Sequence, residues 1–221
     1  NKIVKLSSEI LNNPKQIRIA MSKPNAKILQ AAYLVYDSQK VALLTKLIKD
    51  KPKYKSIIIF SSTKKNISII IGELKRQGIK ASGISSNLDQ KEREKIMLEF
   101  RAKNIRVLVA TDDISRGIDV KDIDLVINYD VPRDAEDYVH RIGRTARAAA
   151  SGVAITLINE DDMNYFGNIE KLIEKEIYKM SVPEELGESP EYNTRKRRNF
   201  GSRKPAQRGG GKGRPNNNRR R

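Results

Sequence analysis

The sequence predicts an α/β fold with a mostly parallel central sheet, because strand-like and helix-like patterns alternate along the chain. Residues 56–60 form the continuous run Ser-Ile-Ile-Ile-Phe, which is typical of a strand buried on both faces. In residues 64–77 the apolar side chains recur at helical spacing, and Gly78 then provides a helix-ending signal. Strands separated by helices of this length are typical of βαβ units, whose strands pair in parallel.

The remaining elements continue this alternation. Further strands are predicted at 31–36, 80–84, 106–110, 125–129 and 153–157. Further helices are predicted around 41–48 and at 89–101, 134–147 and 161–175. In the helix 134–147, the apolar stripe would be formed by Ala135, Val139, Ile142 and Ala146.

Four segments are expected along the chain. Residues 26–180 would form one domain, preceded by 1–25 as the end of a missing first domain and a linker; a frayed N-terminus is the alternative. Residues 181–192 contain proline and glutamate and are predicted to be a connector. Residues 193–221 lack the apolar content to bury a core and are predicted to be a disordered tail. Because the first residue is Asn1 and not Met, we expect the chain to be a piece of a longer protein.

The charge of the chain points to a polyanionic partner. The formal net charge is +17, and residues 193–221 carry twelve Lys or Arg and no Asp or Glu. Nucleic acid is the leading candidate and a membrane surface the alternative, while the tail alone could also be an inert solubilising segment. The chain has no cysteine and one histidine, which excludes a disulfide framework and disfavours a zinc site. Lacking a membrane-span pattern, it is expected to be cytoplasmic.

Two motifs resemble a known family. Residues 140–147 read His-Arg-Ile-Gly-Arg-Thr-Ala-Arg and resemble motif VI of the DEAD-box RNA helicases. Residues 110–119, Ala-Thr-Asp through Arg-Gly-Ile-Asp, resemble the family's motif V and stand before motif VI, as they do in the family. The resemblance covers roughly residues 26–180. It implies a three-layer RecA-like domain, the second of the two that such an ATP-dependent enzyme needs.

The resemblance implies nucleotide roles for residues at the matching positions. Arg144 and Arg147 match the arginine fingers that reach the γ-phosphate, and these are the expected catalytic residues. At 100° per residue, they would share with His140 an arc of about 60° on the helix, although a solvated basic face is the alternative. ATP-binding positions are Arg116, Gly117 and Asp119. His140 and Arg141 match positions that couple RNA binding to ATP binding.

RNA-binding residues are implied in the same way. They match the family's motif IV, its Gln-x-x-Arg pair and motif V, and they are Thr63, Lys64, Gln90, Arg93 and Thr111. Independently of the family, ligands in open α/β sheets bind beyond the carboxyl ends of strands. The segments 61–64 and 111–112 follow predicted strands, which agrees with that rule, although Ser61 and Asp112 could be helix N-caps only. Likewise, Asp119 could be a turn residue and His140 a hydrogen-bonded helix residue.

The chain departs from the family pattern in two places. Ser85-Ser86 stands where the family often has His-Gly, which puts that RNA contact in question, and Ala146 replaces a glycine in motif VI. No G-x-x-x-x-G-K-[ST] pattern and no D-E-A-D tetrad occur in the sequence. We therefore expect ATP with Mg²⁺ to be bound mainly by the missing first domain, and the chain alone to be inactive.

The sequence thus predicts the C-terminal domain of an ATP-dependent RNA helicase with a basic RNA-binding tail. Its expected partners are RNA and the missing N-terminal RecA-like domain in cis; no membrane partner and a monomer are expected. The alternatives are a non-catalytic RNA-binding or annealing protein that retains the fold and a DNA-directed helicase-like translocase. The basic tail and residues 148–152 are similar to the RhlE-like bacterial branch.

Overall fold

The computed structural model describes residues 10, 24, 26–49, 51–111, 123–145 and 152–194 of the chain. Within these ranges, the strands are β1 (Leu29–Leu34), β2 (Ile57–Phe60), β3 (Ala81–Ile84), β4 (Val107–Ala110), β5 (Leu125–Asn128), β6 (Val153–Ile158) and β7 (Tyr178–Ser181). The helices are α1 (Asp37–Lys49), α2 (Lys64–Arg76), α3 (Gln90–Arg101), α4 (Ala135–Ile142), α5 (Met163–Ile173) and a short 3₁₀ helix at Glu184–Leu186.

In the described part of the chain, the seven strands form one sheet with the order β3-β4-β2-β5-β6-β1-β7. Every pair of neighbouring strands in it is parallel. The predicted α/β fold with a parallel central sheet is therefore confirmed. Because all these strands point the same way, their carboxyl ends lie along one edge, which we call the carboxyl edge.

The sheet is covered on both faces, as its strand sequences require. Alternate residues of β2 point to opposite faces, so Ile57 and Ile59 pack with α1 and α2, while Ile58 and Phe60 pack with α3. A separate core joins β1 and β6 to α4 and α5. All four residues of β2 are buried, which confirms the prediction made from its continuous apolar run.

The helices that have capping residues begin and end close to the predicted positions. Helix α2 begins after Thr63, whose hydroxyl accepts a hydrogen bond from the Asn66 amide, and it ends just before Gly78 with φ +72°. Helix α3 begins with a reciprocal capping box between Asp89 and Glu92. Each of these pairs satisfies amides at the start of a helix, where no intrahelical acceptor exists.

The predicted helix 134–147 is wrong at residues 143–145, which form a turn. Helix α4 ends at Ile142, and the main chain then turns toward the residue that precedes β5. The Ile123 amide donates to the Arg144 carbonyl at 3.3 Å, and the Thr145 hydroxyl donates to the Ile123 carbonyl at 2.5 Å. These bonds attach the turn to the segment before β5, while the amides of Arg144 and Thr145 bond three residues back to the carbonyls of Arg141 and Ile142. Ala146 and Arg147 lie outside the described residues.

The buried face of α4 also differs from the predicted stripe. The fully buried side chains are Tyr138, Arg141 and Ile142, while Val139 is only partly buried. A long polar side chain can be buried in the protein when its polar end is hydrogen-bonded. The spacing of apolar residues in a sequence does not reveal such a buried polar side chain. The buried arginine is described with the candidate site.

Two features near the ends of the sheet were not predicted. Strand β1 begins two residues earlier than expected because Leu29 is in register with Val153 of β6. Edge strand β7 was missed altogether, since its sequence Tyr-Lys-Met-Ser is short and has exposed residues at both ends. It pairs with β1 and begins within the segment assigned to the domain, ending at Ser181.

The segment 182–194 packs against the domain. Tyr192 donates a hydrogen bond to Glu170 at 3.2 Å and meets the ring of Phe166 edge-on at 6.5 Å between centroids. Lys179 lies 4.5 Å from the centre of the Tyr192 ring and 2.7 Å from Glu170. This aromatic and ionic cluster holds the chain against α5 immediately before the basic tail begins.

None of the helices in the described ranges has the length and apolar character needed to cross a membrane.

A buried lysine joins three carboxylates at the carboxyl edge. Lys40 of α1 is 2% exposed, and its ammonium lies 3.1 Å from Asp37, 3.2 Å from Asp130 and 3.9 Å from Asp162. We call these four side chains the Lys40 cluster. Burial raises the pKa of Asp162 to about 6, although the charge of Lys40 opposes that change. Burying charged groups is costly, and at Asp162 this cost exceeds the attraction of Lys40, so the folded protein favours the protonated carboxyl.

The raised pKa of Asp162 predicts how stability depends on pH. The ordinary value is 3.8 and the folded value is about 6, so the folded state holds the proton more tightly than the unfolded state. Stability relative to an Asp162→Asn variant should therefore be greatest below about pH 4 and fall as pH rises to about 7, by at most ~3 kcal/mol. Urea unfolding of both proteins across this range measures the difference.

The control is Asp161→Asn, which removes the adjacent, exposed carboxylate. If the difference in the free energy of unfolding between wild type and Asp162→Asn does not change with pH, the burial of Asp162 does not govern its protonation. If Asp161→Asn shows the same slope, the cause is a general effect of charge at the start of α5.

Candidate functional site

Three loops that carry predicted site residues leave neighbouring strands at the carboxyl edge. They follow β2, β3 and β4, which are adjacent in the order β3-β4-β2. The structure therefore brings together the segments 61–64, 85–93 and 111, although they are far apart in sequence. Hydroxyl groups, helix N-terminal amides and basic side chains in such a place suit phosphate groups.

The polar residues of the loop after β2 differ in their exposure to solvent. Thr63 and Lys64 are exposed and start α2, where main-chain amides point outward. Ser61 is fully buried, and its hydroxyl donates to the Asp130 carboxylate at 2.8 Å. The suggestion that Ser61 is an N-cap is wrong, because the N-cap is Thr63. The same burial removes the Ser61 hydroxyl from the groups that could meet a phosphate.

The loop after β3 lies against Lys64 and Arg93. The Lys64 ammonium donates to the Asn87 side chain, and the Arg93 guanidinium donates to the Ser86 carbonyl at 3.4 Å. The Arg93 Nε atom is buried and has no hydrogen-bond partner within the described residues. Gln90, one turn earlier, donates to Glu94 at 2.9 Å on the exposed side of α3. Both side chains that match the family's Gln-x-x-Arg pair thus begin α3 beside this loop.

Thr111 is the first residue after β4. It is only 7% exposed, and its hydroxyl has no hydrogen-bond partner within the described part of the chain. An unbonded buried hydroxyl is costly, typically by about 1–3 kcal/mol. The Thr111 hydroxyl is therefore a candidate for a partner that the described residues do not supply.

Arg141 is buried and links α4 to β5 and β2. Its guanidinium donates to the Asn128 side chain at 3.0 Å and to the Asp130 carbonyl at 2.9 Å. It also lies 5.2 Å from the centre of the Phe60 ring, within the range of a cation–π contact. Asn128 in turn donates to Thr156 of β6 at 3.1 Å. The resemblance identified Arg141 as a coupling position, but it gave no sign that the side chain is 1% exposed.

Arg144 lies two residues beyond the end of α4. Helix α4 starts from the carboxyl edge, and the turn that follows it bonds to Ile123, which precedes β5. Arg144 is partly buried there, and the eight residues of α4, about 12 Å of helix, separate it from the start of that helix at the carboxyl edge. His140 is exposed, and its nearest charged partner is Asp137 at 4.0 Å, which is too long for a hydrogen bond.

The described residues include only part of the predicted nucleotide site. Arg116, Gly117, Asp119 and Arg147 lie outside them, as does Asp112. Their assignments therefore stay predictions from the motifs. In the described portion, no three or more His, Cys, Asp or Glu side chains are arranged to hold a metal ion.

Sequence reasoning missed Asp130 and Lys40 as parts of this edge. Asp130 is the second residue after β5, so the rule that placed Thr111 at the edge could have placed it there too. Lys40 gave no comparable signal, since it lies on the first turns of an amphipathic helix with exposed neighbours.

Comparisons with known proteins agree with these features. Residues 39–149, half of the chain, match the family described as the helicase conserved C-terminal domain. The ATP-dependent RNA helicase DBP2 of Candida glabrata is 38% identical over 189 residues, which cover 84% of this chain and 34% of that protein. The chain thus spans about a third of the length of this curated relative.

Solved structures give the same result. The E. coli DEAD-box protein SrmB, solved bound to RraA, is 33% identical with a TM-score of 0.70, covering 78% of this chain and 100% of that chain. S. cerevisiae Dbp5 bound to RNA and ADP BeF3 is 28% identical with a TM-score of 0.71, covering 81% of this chain and 48% of that chain. The chain therefore belongs to the DEAD-box RNA helicases and carries their conserved C-terminal, RecA-like domain.

Proposed function

We propose that this chain is the second half of an ATP-dependent RNA helicase, in which it binds RNA at the carboxyl edge and supplies arginines for ATP hydrolysis. The observation that carries the proposal is the placement of α4. This helix follows the segment of Asp130, which bonds to the loop after β2 that carries Thr63, and it ends two residues before Arg144. One short element thus connects the proposed RNA surface with the proposed nucleotide surface.

Phosphate chemistry supports RNA as the ligand of the carboxyl edge. Lys64 and Arg93 supply positive charge, the start of α2 supplies amides, and Thr111 supplies a buried hydroxyl. Contacts of this kind grip the sugar–phosphate backbone and carry little information about base sequence. The relative Dbp5, whose structure was solved with RNA, has the same fold over most of this chain. We propose that Gln90 joins these contacts from the first turn of α3.

Arg144 and Arg147 are proposed as the catalytic residues. A guanidinium beside the γ-phosphate stabilises the charge that develops on the transferring phosphoryl group. The first RecA-like domain, in cis, would hold ATP and Mg²⁺, since this sequence contains no phosphate-binding loop of the Walker type. Arg116, Gly117 and Asp119 would bind the nucleotide from this side, and His140 with Arg141 would couple it to RNA. The chain alone is proposed to be inactive.

Closure of the two domains would bring these surfaces together. RNA bound across both domains would be bent, which separates short duplexes locally, while ATP fills the cleft. We propose a monomeric, cytoplasmic enzyme. Its assignment to the RhlE-like bacterial branch rests on the composition of the tail and of residues 148–152. A non-catalytic RNA-binding protein or a DNA-directed translocase would keep the fold but lack RNA-stimulated ATP hydrolysis.

The arginine assignment predicts a kinetic loss without a loss of fold. In the protein that contains both domains, Arg144→Ala or Arg147→Ala should lower kcat for RNA-stimulated ATP hydrolysis by about 10³, the usual effect of removing an arginine finger. The matched control is Arg76→Ala, an exposed arginine at the end of α2 that pairs only with Glu73 among the interactions described. Steady-state ATPase assays with saturating RNA measure the change, and thermal unfolding checks the fold.

Turnover close to wild type in both finger variants would overturn their catalytic role. Equal losses in Arg76→Ala would show that removing any surface arginine impairs the enzyme. Wild-type protein that hydrolyses ATP only with DNA would favour the translocase alternative.

The basic tail predicts salt-sensitive binding of RNA. Residues 193–221 contain twelve Lys or Arg and no acidic residue, so binding should be dominated by counterion release. If six to eight of these charges meet phosphates, a plot of log K against log salt concentration should have a slope of about −4 to −6 on single strands. Fluorescence anisotropy with this 221-residue chain measures the slope. Removing 195–221, which leaves Tyr192 in its packed position, should flatten it.

The matched control for length is a tail in which each Lys and Arg is replaced by Gln. That protein should behave like the truncated one, because charge and not length supplies the binding. Unchanged affinity after truncation would assign the RNA contact to the folded domain and leave the tail as a solubilising segment.

A further inference from the structure

We propose that Asp130 is a positioning residue that fixes the RNA-facing loop after β2 and ties it to the arginine-bearing end of α4. The inference rests on the proposed function and adds a residue to which neither motif pointed. Asp130 makes hydrogen bonds to α1, to the loop after β2, to α2 and to α4. These bonds act as three constraints on the carboxyl edge.

The first constraint acts on the loop after β2. One carboxylate oxygen of Asp130 accepts from the Ser61 hydroxyl and the Ser62 amide, both at 2.8 Å, and from the Asn66 side chain at 3.4 Å. A carboxylate that accepts several short hydrogen bonds holds its donors in a narrow range of directions. It therefore sets the direction in which the main chain leaves β2 and presents Thr63 and Lys64.

The second constraint fixes the carboxylate itself. Its other oxygen accepts from the buried ammonium of Lys40 at 3.2 Å. Lys40 also lies 5.3 Å from the centre of the Tyr129 ring, so the ammonium is held from two sides. The Asp130 side chain is 15% exposed, and at this depth an unpaired carboxylate would be strongly disfavoured. Lys40 thus holds the Asp130 carboxylate in one orientation.

The third constraint reaches the nucleotide side. The Asp130 carbonyl accepts from Arg141 at 2.9 Å, and Arg141 is in the last turn of α4, three residues before Arg144. A displacement of the loop after β2 would move Asp130, and with it the acceptor that holds the end of α4. The contacts therefore make a continuous path from Ser62 through Asp130 and Arg141 to the turn at Arg144.

A purely structural role makes a different prediction from a positioning role. If Asp130 served only to neutralise Lys40, its loss would destabilise the domain and affect every activity in proportion to the folded fraction. If it positions the loop, its loss raises the RNA concentration needed for stimulation, and it also reduces the factor by which saturating RNA increases ATP turnover.

The test uses the two-domain protein and three variants. Asp130→Asn keeps the shape but replaces one accepting oxygen with an amide that donates. Ser61→Ala removes a single hydrogen bond to Asp130 from a fully buried side chain and leaves the Lys40 cluster intact. Asp162→Asn is the control, because Asp162 belongs to the Lys40 cluster, where it lies 3.9 Å from the ammonium, and Asp130, not Asp162, bonds to Ser61 and Ser62. ATP hydrolysis is measured against the concentration of a single-stranded RNA, and thermal unfolding gives the folded fraction.

For Asp130→Asn we expect the RNA concentration at half-stimulation to rise about tenfold or more, the loss expected for a hydrogen bond to a charged group. Ser61→Ala should show a smaller rise, about threefold, with the melting temperature unchanged, and so keeps the proposal testable if Asp130→Asn folds poorly. Asp162→Asn should keep the wild-type RNA dependence. The proposal is overturned if Ser61→Ala and Asp130→Asn retain the wild-type RNA dependence, or if Asp162→Asn changes it equally.

A failure of the proposed function would give a different experimental result from a failure of the role of Asp130. Wild-type protein without RNA-stimulated ATP hydrolysis would remove the function itself, and the role of Asp130 with it. Wild-type protein with normal stimulation, together with variants that match the Asp162→Asn control, would remove only the role of Asp130.

Discussion

The parallel pairing of strands is the constraint on which the described structure depends. Because the strands run in the same direction, the chain must cross back to the start of each next strand, and the loops that leave the strands gather at one edge. Three such loops carry Thr63, Arg93 and Thr111 to neighbouring positions. No single segment of the sequence contains this surface. It exists only once β3, β4 and β2 have paired.

Buried charge gives the carboxyl edge its rigidity. Arg141 and Lys40 are among the largest fully or nearly fully buried side chains in the described residues, and each has polar partners close by. Such groups contribute little net stability, because desolvation offsets much of their attraction. Breaking one partner, however, leaves an uncompensated buried charge, so the surrounding loops have few alternative arrangements. An apolar core at this edge would pack as well without fixing the loops so narrowly.

Much of the fold could be predicted from the sequence because local signals and packing agree. The run 56–60, the spacing of Ile67, Ile70 and Leu74, and the cap at Asp89 each specify one element. The helix 134–147 was predicted to be too long. Beyond Ile142 the chain forms a turn, in which the Thr145 hydroxyl bonds to the carbonyl of Ile123, a partner remote in sequence. Strand β7 was missed because an edge strand needs only one neighbour and carries no buried run.

The candidate site was predictable in part. The resemblance placed Thr63, Lys64 and Thr111, and the structure puts the loops that carry them side by side at the carboxyl edge. It could not show that Arg141 is buried while Arg144 lies beyond the helix, since both arginines look alike in a motif. Nor could it identify Asp130 or Lys40, whose importance depends on contacts between segments up to about ninety residues apart.

The central claim is that the carboxyl edge and the Arg144 turn respond to each other through α4. Amide hydrogen exchange of the two-domain protein, with RNA, with a non-hydrolysable ATP analogue and with both, tests this claim most directly. The account predicts that both ligands together slow exchange in 61–66 and in 143–145 more than either ligand does alone. Protection of each segment by only one ligand, unchanged when the other is added, would contradict it.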